Sequence, residues 1–560
     1  MCGRRARASA RCAPRNRSPR SSPPSAPNTR PPWPTCGFRN RCPHPNKRRV
    51  RQDLHPIQWR FVMAAETTVV EYLRRGMLEV PDRVAIICGD RTLTYAELGR
   101  SAAGLARRLA GSGIEGRVVA VVMPNGPELS VAIFAAWLAG AQVALINPLF
   151  TDRESRLLLQ RSEATVVLTS SAGAGQAAEA LGLEVIQVGE SALESWRHDE
   201  TLTICADQVP APDRLATMMF TGGTTGVPKG VDHTHRTLMG TVLGMESSWP
   251  TRPGREVWLN VAPSFHIWGL LMGILNPVFG QATVVLSQGF KPDAVAAAIR
   301  DHGVTVFGGG PAEIYAGLLS SPHTTRAAMS TLRVCPGGGS RFSAALHERW
   351  LARTGVEIRE AYGMTELAPI ACNRWDLPTR AGSVGLPAVG VEIRVVDPEE
   401  HARRAAVGES GEIQVRAAHM TIGYHHPEPG DGAFVDGWLN TGDIGYLDAD
   451  GYLFIVDRKK DMIIVGGFNV YPREIDETLC KYPGITEAAT VGVPDDRRGE
   501  RPVSFIVTEP EVDSSALADY CTQNLAHYKQ PREIRVLAQL PKTPANKVDR
   551  LTLRRMATDG

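Results

Sequence analysis

Between residues 117 and 146 short apolar runs flank a longer one that is bounded by proline and glycine. RVVAVVM (Arg117 to Met123) predicts a buried strand. PELSVAIFAAWLAG (Pro127 to Gly140) predicts a helix entered at proline and left at glycine, and AQVALI (Ala141 to Ile146) the next strand. The unit returns downstream. AVAAAIRDHG (Ala294 to Gly303) predicts a helix and VTVFGGG (Val304 to Gly310) a strand, while LRVCPGGG (Leu332 to Gly339) and EIREAYG (Glu357 to Gly363) each place a glycine-bearing loop after an apolar run. Strand–helix alternation implies an α/β fold with parallel sheets covered by helices. In such sheets ligands sit at the carboxyl ends of strands, where the PGGGS and YGMTE loops fall. GWLNTGDIGYLDADGYLFIVD (Gly437 to Asp457) predicts a β-hairpin with turns at Gly442 and at Asp450-Gly451. A break is expected at 457–461, and 462–560 carries its own strand and helix alternation, enough for a small α/β domain.

Length and charge sharpen that division. At 560 residues the chain exceeds the usual size of one core, and 43% hydrophobic with 22% charged content is ordinary for a soluble globular enzyme. The net charge of +3 conceals a split: residues 1–62 hold fourteen arginines and Lys47 against Asp53 alone, leaving 11 net negative charges on the rest. That balance leaves no basic face for nucleic acid. Rich in Arg, Pro and Ser and poor in aliphatics, 1–62 cannot bury enough apolar surface to fold. The leader's prolines oppose the amphipathic helix of a transit peptide, and it has no apolar core of a secretory signal. Met63, followed by AAETTVVEYLRR, reads as the natural start, and 1–62 as a disordered leader extraneous to the enzyme.

Ten cysteines are scattered with no CxxC pair, which indicates neither a zinc site nor a disulfide framework and fits a reducing, cytoplasmic setting. The longest apolar stretch, Val131 to Ile146, is shorter than a bilayer span and is interrupted by Gly140 and Gln142.

The densest chemical signal is FTGGTTGVPKGV (Phe220 to Val231). Glycines remove the Cβ that would keep a ligand away, threonine hydroxyls and backbone N–H groups face an anion, and Lys229 adds a point charge. A nucleoside triphosphate is the expected guest. The register is not G-x-x-x-x-G-K-[ST], and Pro228 bars the α region for Val227, so the loop is not expected to run into a helix.

This stretch resembles the phosphate loop of the adenylate-forming superfamily, AMP-dependent synthetases and ligases, and most resembles that of bacterial fatty-acyl-CoA synthetases. The other family motifs follow in order: PSFHIWGL (Pro263 to Leu270), PGGGS (Pro336 to Ser340), YGMTE (Tyr362 to Glu366), GSVGLPAVG (Gly382 to Gly390), WLNTGDIG (Trp438 to Gly445), DRKKDMI (Asp457 to Ile463), GGFNVYPREID (Gly466 to Asp476), AHYKQP (Ala526 to Pro531) and PKTPANK (Pro541 to Lys547). Three positions depart from the family's usual residue: Gly222 for Ser, Ala417 for Gly and Asn546 for Gly.

The resemblance implies a large N-terminal body of stacked α/β sheets with a β-barrel-like part (63–456), a hinge (457–461) pivoting at Lys460, and a small mobile C-terminal α/β lid (462–560). It implies that a carboxylic acid, expected to be a medium- or long-chain fatty acid, and ATP give acyl-AMP and diphosphate, and that CoA then gives acyl-CoA and AMP. A fatty acyl-AMP ligase serving a carrier protein, or an aryl-CoA ligase, is the alternative.

Carried onto this sequence, Thr221, Gly222, Gly223, Thr224, Thr225, Gly226 and Lys229 are expected on the phosphates, with Gly338, Gly339, Tyr362 and Thr365 along the nucleotide. Tyr362 is expected flat on adenine, and Asp443 and Arg458 on the ribose hydroxyls. Glu366, with Thr221, is expected to hold Mg²⁺, His266 to stand beside the acid, and Gly466 and Gly467 to admit CoA. Lys547 is expected to enter from the lid and stabilise the adenylation transition state. An Asp after Phe265, which an ammonium-bearing acid would need, is absent. Peripheral membrane contact and a homodimer remain compatible with the resemblance.

Overall fold

The computed structural model describes residues 67–221, 228–427, 432–465, 468–495, 499–509, 512–542 and 548–558. The leader 1–62 lies outside them, and the described residues from 67 onward belong to one compact unit. Their strands form five sheets.

The helix predicted from PELSVAIFAAWLAG spans Pro127–Leu138 with proline in its first turn, and the strands to either side of it in sequence are Val118–Val122 and Gln142–Leu145. Every residue of this helix from Leu129 to Leu138 is buried, so it is apolar all round and packs as a core element. It shares one large core cluster with the helix Tyr95–Ala110, whose Thr94 and Glu97 close a reciprocal N-terminal cap.

A seven-stranded sheet runs in the order Gly423–Tyr424, Lys229–Thr234, Leu215–Thr221, Gln142–Leu145, Val118–Val122, Ala164–Thr169, Glu184–Gln187. Its last five strands are mutually parallel, while Lys229–Thr234 returns antiparallel along Leu215–Thr221 and Gly423–Tyr424 adds an antiparallel edge. A second sheet pairs Val306–Gly308, Val257–Asn260, Thr283–Leu286 and Val84–Cys88 in parallel, with Arg91–Thr94 antiparallel at its edge. The alternation read from the sequence thus yields parallel pairing in the interiors of both sheets and antiparallel strands at their margins.

Cys335–Gly338, Ile358–Met364, Leu367–Cys372 and Leu386–Pro387 make a third sheet. A fourth, antiparallel sheet contains Val391–Val396, Gly411–Ala417, Phe434–Val435, Trp438–Leu447 and Leu453–Arg458. Here one expectation is corrected. Gly442 does not turn the chain: Trp438–Leu447 is a single strand, and only the turn at Asp450-Gly451 leads into Leu453–Arg458. Glu412 pairs Ile444 while Gln414 pairs Asn440, so residues 441–443 bulge opposite Ile413. Gly442 takes the positive φ of 70° that the bulge needs.

A short 3₁₀ turn, Lys459–Asp461, precedes the fifth sheet, built from Ile463–Val465, Phe468–Val470, Ile485–Asp495, Gly499–Thr508 and Glu533–Val536. Its two faces carry small apolar clusters of their own, one around Ile475, Leu479 and Leu517, the other around Phe505, Leu540 and Leu553. Among the described residues no helix is long and apolar enough to cross a membrane.

Candidate active site

The stems of the Gly/Thr loop pair with each other: Thr221 stands opposite Lys229 and Phe220 opposite Gly230. The strands flanking the loop therefore pair antiparallel, and the chain resumes at Lys229 as a strand and not a helix, in keeping with Pro228. Gly222, Gly223, Thr224, Thr225 and Gly226 lie outside the described residues, as do Gly466, Gly467 and Lys547. Lys229 holds its ammonium 5.0 Å from the centre of the Tyr424 ring.

Tyr424 leads to Glu366. Its hydroxyl donates to Glu366 Oε1 at 2.9 Å, and the Glu366 residue is only 5% exposed. Glu366 sits in the tight turn between Ile358–Met364 and Leu367–Cys372, not at the start of a helix. A carboxylate this buried needs donors or a cation. The turn is stitched to the phosphate-loop strand by one short segment. Thr421 N donates to Glu366 O at 2.8 Å, Ile422 N to Asp232 O at 3.2 Å, and His425 N to Gly230 O at 2.8 Å.

On the other side of the turn, buried His233 donates from Nε2 to Thr365 O at 2.8 Å. Burial holds its imidazole neutral, with a pKa lowered to about 4. Sequence reasoning missed both Tyr424 and His233, because each owes its place to pairing between segments far apart in the chain.

Tyr362, four residues before Glu366, donates its hydroxyl to Asp443 Oδ2 at 2.5 Å. Burial first, and then the negative Asp443, push its phenol well above the usual range, so it stays a donor. Asp443 is aimed there by the bulge: Thr441 Oγ1 donates to Ile413 O at 2.8 Å and accepts from Asp443 N at 3.1 Å. Arg458, opposite Asp443 in the neighbouring strand, brings Nε to 3.5 Å from Asp443 Oδ1 while its side chain is 56% exposed. Such an exposed pair contributes little stability, which suits a guanidinium that can engage a ligand. The structure therefore brings Tyr362, Asp443 and Arg458 together, and separately Glu366, Tyr424 and Lys229, around a single strand and turn.

Gly338 ends the strand Cys335–Gly338 beside Gly310. A Cβ at Gly338 would meet Ala361 O and the Trp268 ring at 2.9 Å, so close packing demands glycine there, while Gly339 takes φ 83°. The Trp268 ring thus packs against Gly310 and Gly338, with Nε1 3.4 Å from Gly308 O. His266, exposed, precedes the helix Ile267–Leu270 and holds its ring 4.7 Å from that of Phe265.

Lys460 is exposed in the 3₁₀ turn, directly after a residue that is firmly anchored. Lys459 Nζ donates to Glu412 Oε2 and to Pro398 O, both at 2.7 Å. This anchor escaped the sequence reading, which named Lys460 as the pivot and gave Lys459 no role.

A profile of the AMP-binding enzyme family matches residues 73–425, and one of the AMP-binding enzyme C-terminal domain matches 474–547. A long-chain-fatty-acid–CoA ligase of Salmonella typhimurium is 31% identical, covering 87% of this chain and 94% of its own. A sulfoacetate–CoA ligase of Cupriavidus necator is 35% identical over 84% of this chain and 94% of its own. Among solved structures, o-succinylbenzoate coenzyme A synthetase from Bacillus subtilis in complex with ATP and a magnesium ion superimposes with a TM-score of 0.76 at 30% identity, covering 87% of this chain and 99% of that one.

Proposed function

The chain belongs to the AMP-binding enzyme family, and on that premise we propose that it is an ATP-dependent acyl-CoA ligase whose acid is a medium- or long-chain fatty acid. In the first half-reaction a carboxylate oxygen attacks the α-phosphorus of ATP, and the bond to the β-phosphate oxygen breaks to release diphosphate. In the second, the CoA sulfur attacks the acyl carbon and AMP leaves. The observation that carries this reading is the convergence of Tyr362, Asp443 and Arg458 with Glu366, Tyr424 and Lys229 about one strand end.

Each group suits a part of the nucleotide. The Tyr362 ring offers a face for adenine, the Asp443 and Arg458 pair a diol clamp for the ribose, and Lys229 with the Thr221–Gly226 loop donors for the phosphates. Thr365 is placed by His233 at the turn, and exposed Gly339, following close-packed Gly338, leaves backbone open to the nucleotide. Glu366 and Thr221 supply carboxylate and hydroxyl oxygens, a donor set that fits Mg²⁺. When bound, that ion offsets the charge of the departing diphosphate. Lys547 would add a cation where charge develops, and Gly466 and Gly467 would let the CoA arm pass.

The fatty-acid choice is supported by likeness to a long-chain-fatty-acid–CoA ligase over 531 residues and by the absence of a carboxylate after Phe265 that would pair an ammonium. A second reading, a shorter or aryl acid, is favoured by the Trp268 ring packed closely over Gly310 and Gly338 and by the sulfoacetate relative. Diphosphate release measured across acids of graded length, with and without CoA, separates them. Turnover that rises with chain length and requires CoA supports the first reading. Turnover confined to short or aryl acids selects the second, and turnover indifferent to CoA rejects the ligase in favour of an acyl-AMP ligase.

A further inference from the structure

Beside the phosphate-loop strand lies a cluster that the ligase chemistry does not use. Glu163, His425 and His426 place one ligating atom each within 4.8 Å of one another. Glu163 Oε1 stands 3.4 Å from His426 Nε2, and Glu163 Oε2 stands 3.8 Å from His425 Nε2. Metal–nitrogen and metal–oxygen bonds of about 2.0–2.1 Å in a tetrahedron set ligand atoms roughly 3.4 Å apart, so a small closure of these side chains brings all three to bonding distance.

The second observation concerns His425 itself. Its Nε2 is buried and has no hydrogen-bond partner among the described residues, although a buried imidazole nitrogen normally finds one. The opposite ring nitrogen does have a partner: Nδ1 lies 3.1 Å from Asp232 Oδ2, and the other oxygen of Asp232 accepts from Gln142 Nε2 at 2.7 Å. A carboxylate on Nδ1 fixes the tautomer that leaves Nε2 a lone pair, the arrangement found behind metal-bound histidines. Glu163 adds a third oddity. It follows the helix Asp152–Arg161 in a left-handed conformation, φ 54°, at a place where glycine or asparagine is usual. A glutamate there carries a backbone cost that its side chain must justify.

We propose that Glu163, His425 and His426 form a site for a divalent transition ion of the zinc type, with Asp232 as the outer partner of His425 and a fourth position open to water. Two imidazoles and one carboxylate suit zinc, cobalt or nickel, whereas Mg²⁺ takes oxygen donors, so this site is chemically distinct from the one at Glu366. The ion ties the turn after Asp152–Arg161 to the segment 421–426, which stitches Glu366 to the phosphate-loop strand. Its occupancy therefore firms the footing of the loop without touching the nucleotide.

The test uses the full chain, stripped with a chelator and titrated with Co²⁺ and Zn²⁺ by calorimetry, visible absorption and thermal unfolding. About one ion per chain should bind and raise the unfolding midpoint, with cobalt bands of nitrogen and oxygen ligation, while Mg²⁺ leaves the midpoint where it was. Glu163→Gln and His426→Ala alter exposed side chains and should fold. Each should weaken Zn²⁺ binding by at least about 10–100-fold, the loss typical of an outer partner alone. Parent-like affinity in both variants, thiolate charge-transfer bands with cobalt, or no binding to the parent at micromolar Zn²⁺ would each overturn the site.

Discussion

Glu366 and Asp443 are held by strands of the large body, through short hydrogen bonds from Tyr424 and Tyr362. The fifth sheet is joined to that body at its entrance through charge. Lys459 is tethered to buried Glu412, Asp457 accepts from Arg473 N at 2.9 Å, and Arg341 pairs with Glu477. Beyond them Arg550 Nη2 meets Asp476 at 2.7 Å. The apolar clusters of the fifth sheet close on its own two faces. Burial holds Glu366 and its Tyr424 donor stiffly in place, as the transition-state stabilisation proposed for that side would require. Of these contacts the Arg341–Glu477 pair joins two partly exposed side chains, and such a pair is weak and replaceable, as a moving junction would require.

The strongest way to break this comparison is to disable one side at a time. Glu366→Gln removes the buried carboxylate and should lower ATP–diphosphate exchange by about 10²–10³, the scale of one lost electrostatic stabiliser. Lys547→Ala should cost adenylation a similar factor and leave thioester formation from preformed acyl-AMP largely intact. Lys460→Pro does the reverse. It fixes φ just past the Lys459 anchor, so adenylation should persist while thioester formation collapses. If each substitution depresses both half-reactions equally, the division between a rigid body and a pivot at Lys460 does not hold.

A smaller effect sharpens the body side. Tyr424→Phe keeps the ring under Lys229 but deletes the donor to Glu366. A hydrogen bond to a charged group is worth about 1.5–3 kcal/mol, so exchange should fall by roughly 10–100-fold at fixed Mg²⁺. Raising Mg²⁺ should recover part of that loss, because the carboxylate remains. An unchanged exchange rate would mean that Tyr424 does not position Glu366.

On the junction side, Glu477→Gln weakens only one of several charged contacts, the partly exposed pair with Arg341, and a few-fold change in the thioester half-reaction is expected. That change should shrink as salt is raised, whereas the Tyr424→Phe defect should not, because exposed ion pairs are screened and buried hydrogen bonds are not. Equal salt dependence of the two defects would erase the distinction.

What could be read beforehand follows the same line. The helix at Pro127, the strands around it and the glycine loops after Cys335 and Ile358 rest on local periodicity and local stereochemistry. The order of motifs placed Tyr362, Asp443 and Arg458 in one site, and the structure brings them together. Tyr424 and His233 were illegible because each acts through a partner on another sheet. Gly442 misled because positive φ serves a bulge as well as a turn, and only the partner strand Gly411–Ala417 decides between them. Lys459 and Lys460 look alike in sequence and differ only in that Glu412 lies within reach of the first.

The smallest expected effect is a divergence of the two regions with pH. In the body, burial lowers the imidazoles of His233 and His419 to about 4 and that of His235 to about 3, from an ordinary 6.5. The folded form then binds fewer protons than the unfolded one below about pH 6.5. The stability these groups contribute is present above that pH and is lost as pH falls toward 4. At the junction the sign reverses. Burial raises Asp457 and Asp476 to about 6 from 3.8, so the folded form binds more protons in that interval. Their penalty is largest above pH 6 and eases as the solution is acidified toward 3.8. Between about pH 7 and pH 5, hydrogen exchange corrected for its intrinsic pH dependence should therefore show the amides of Lys229–Thr234 losing protection while those of Ile485–Asp495, packed over Asp476, hold or gain it. Asp476→Asn should flatten the second trend and leave the first. Loss of protection at the same rate in both strands would mean that the protein opens as one cooperative body, with no separate ionic footing for the fifth sheet.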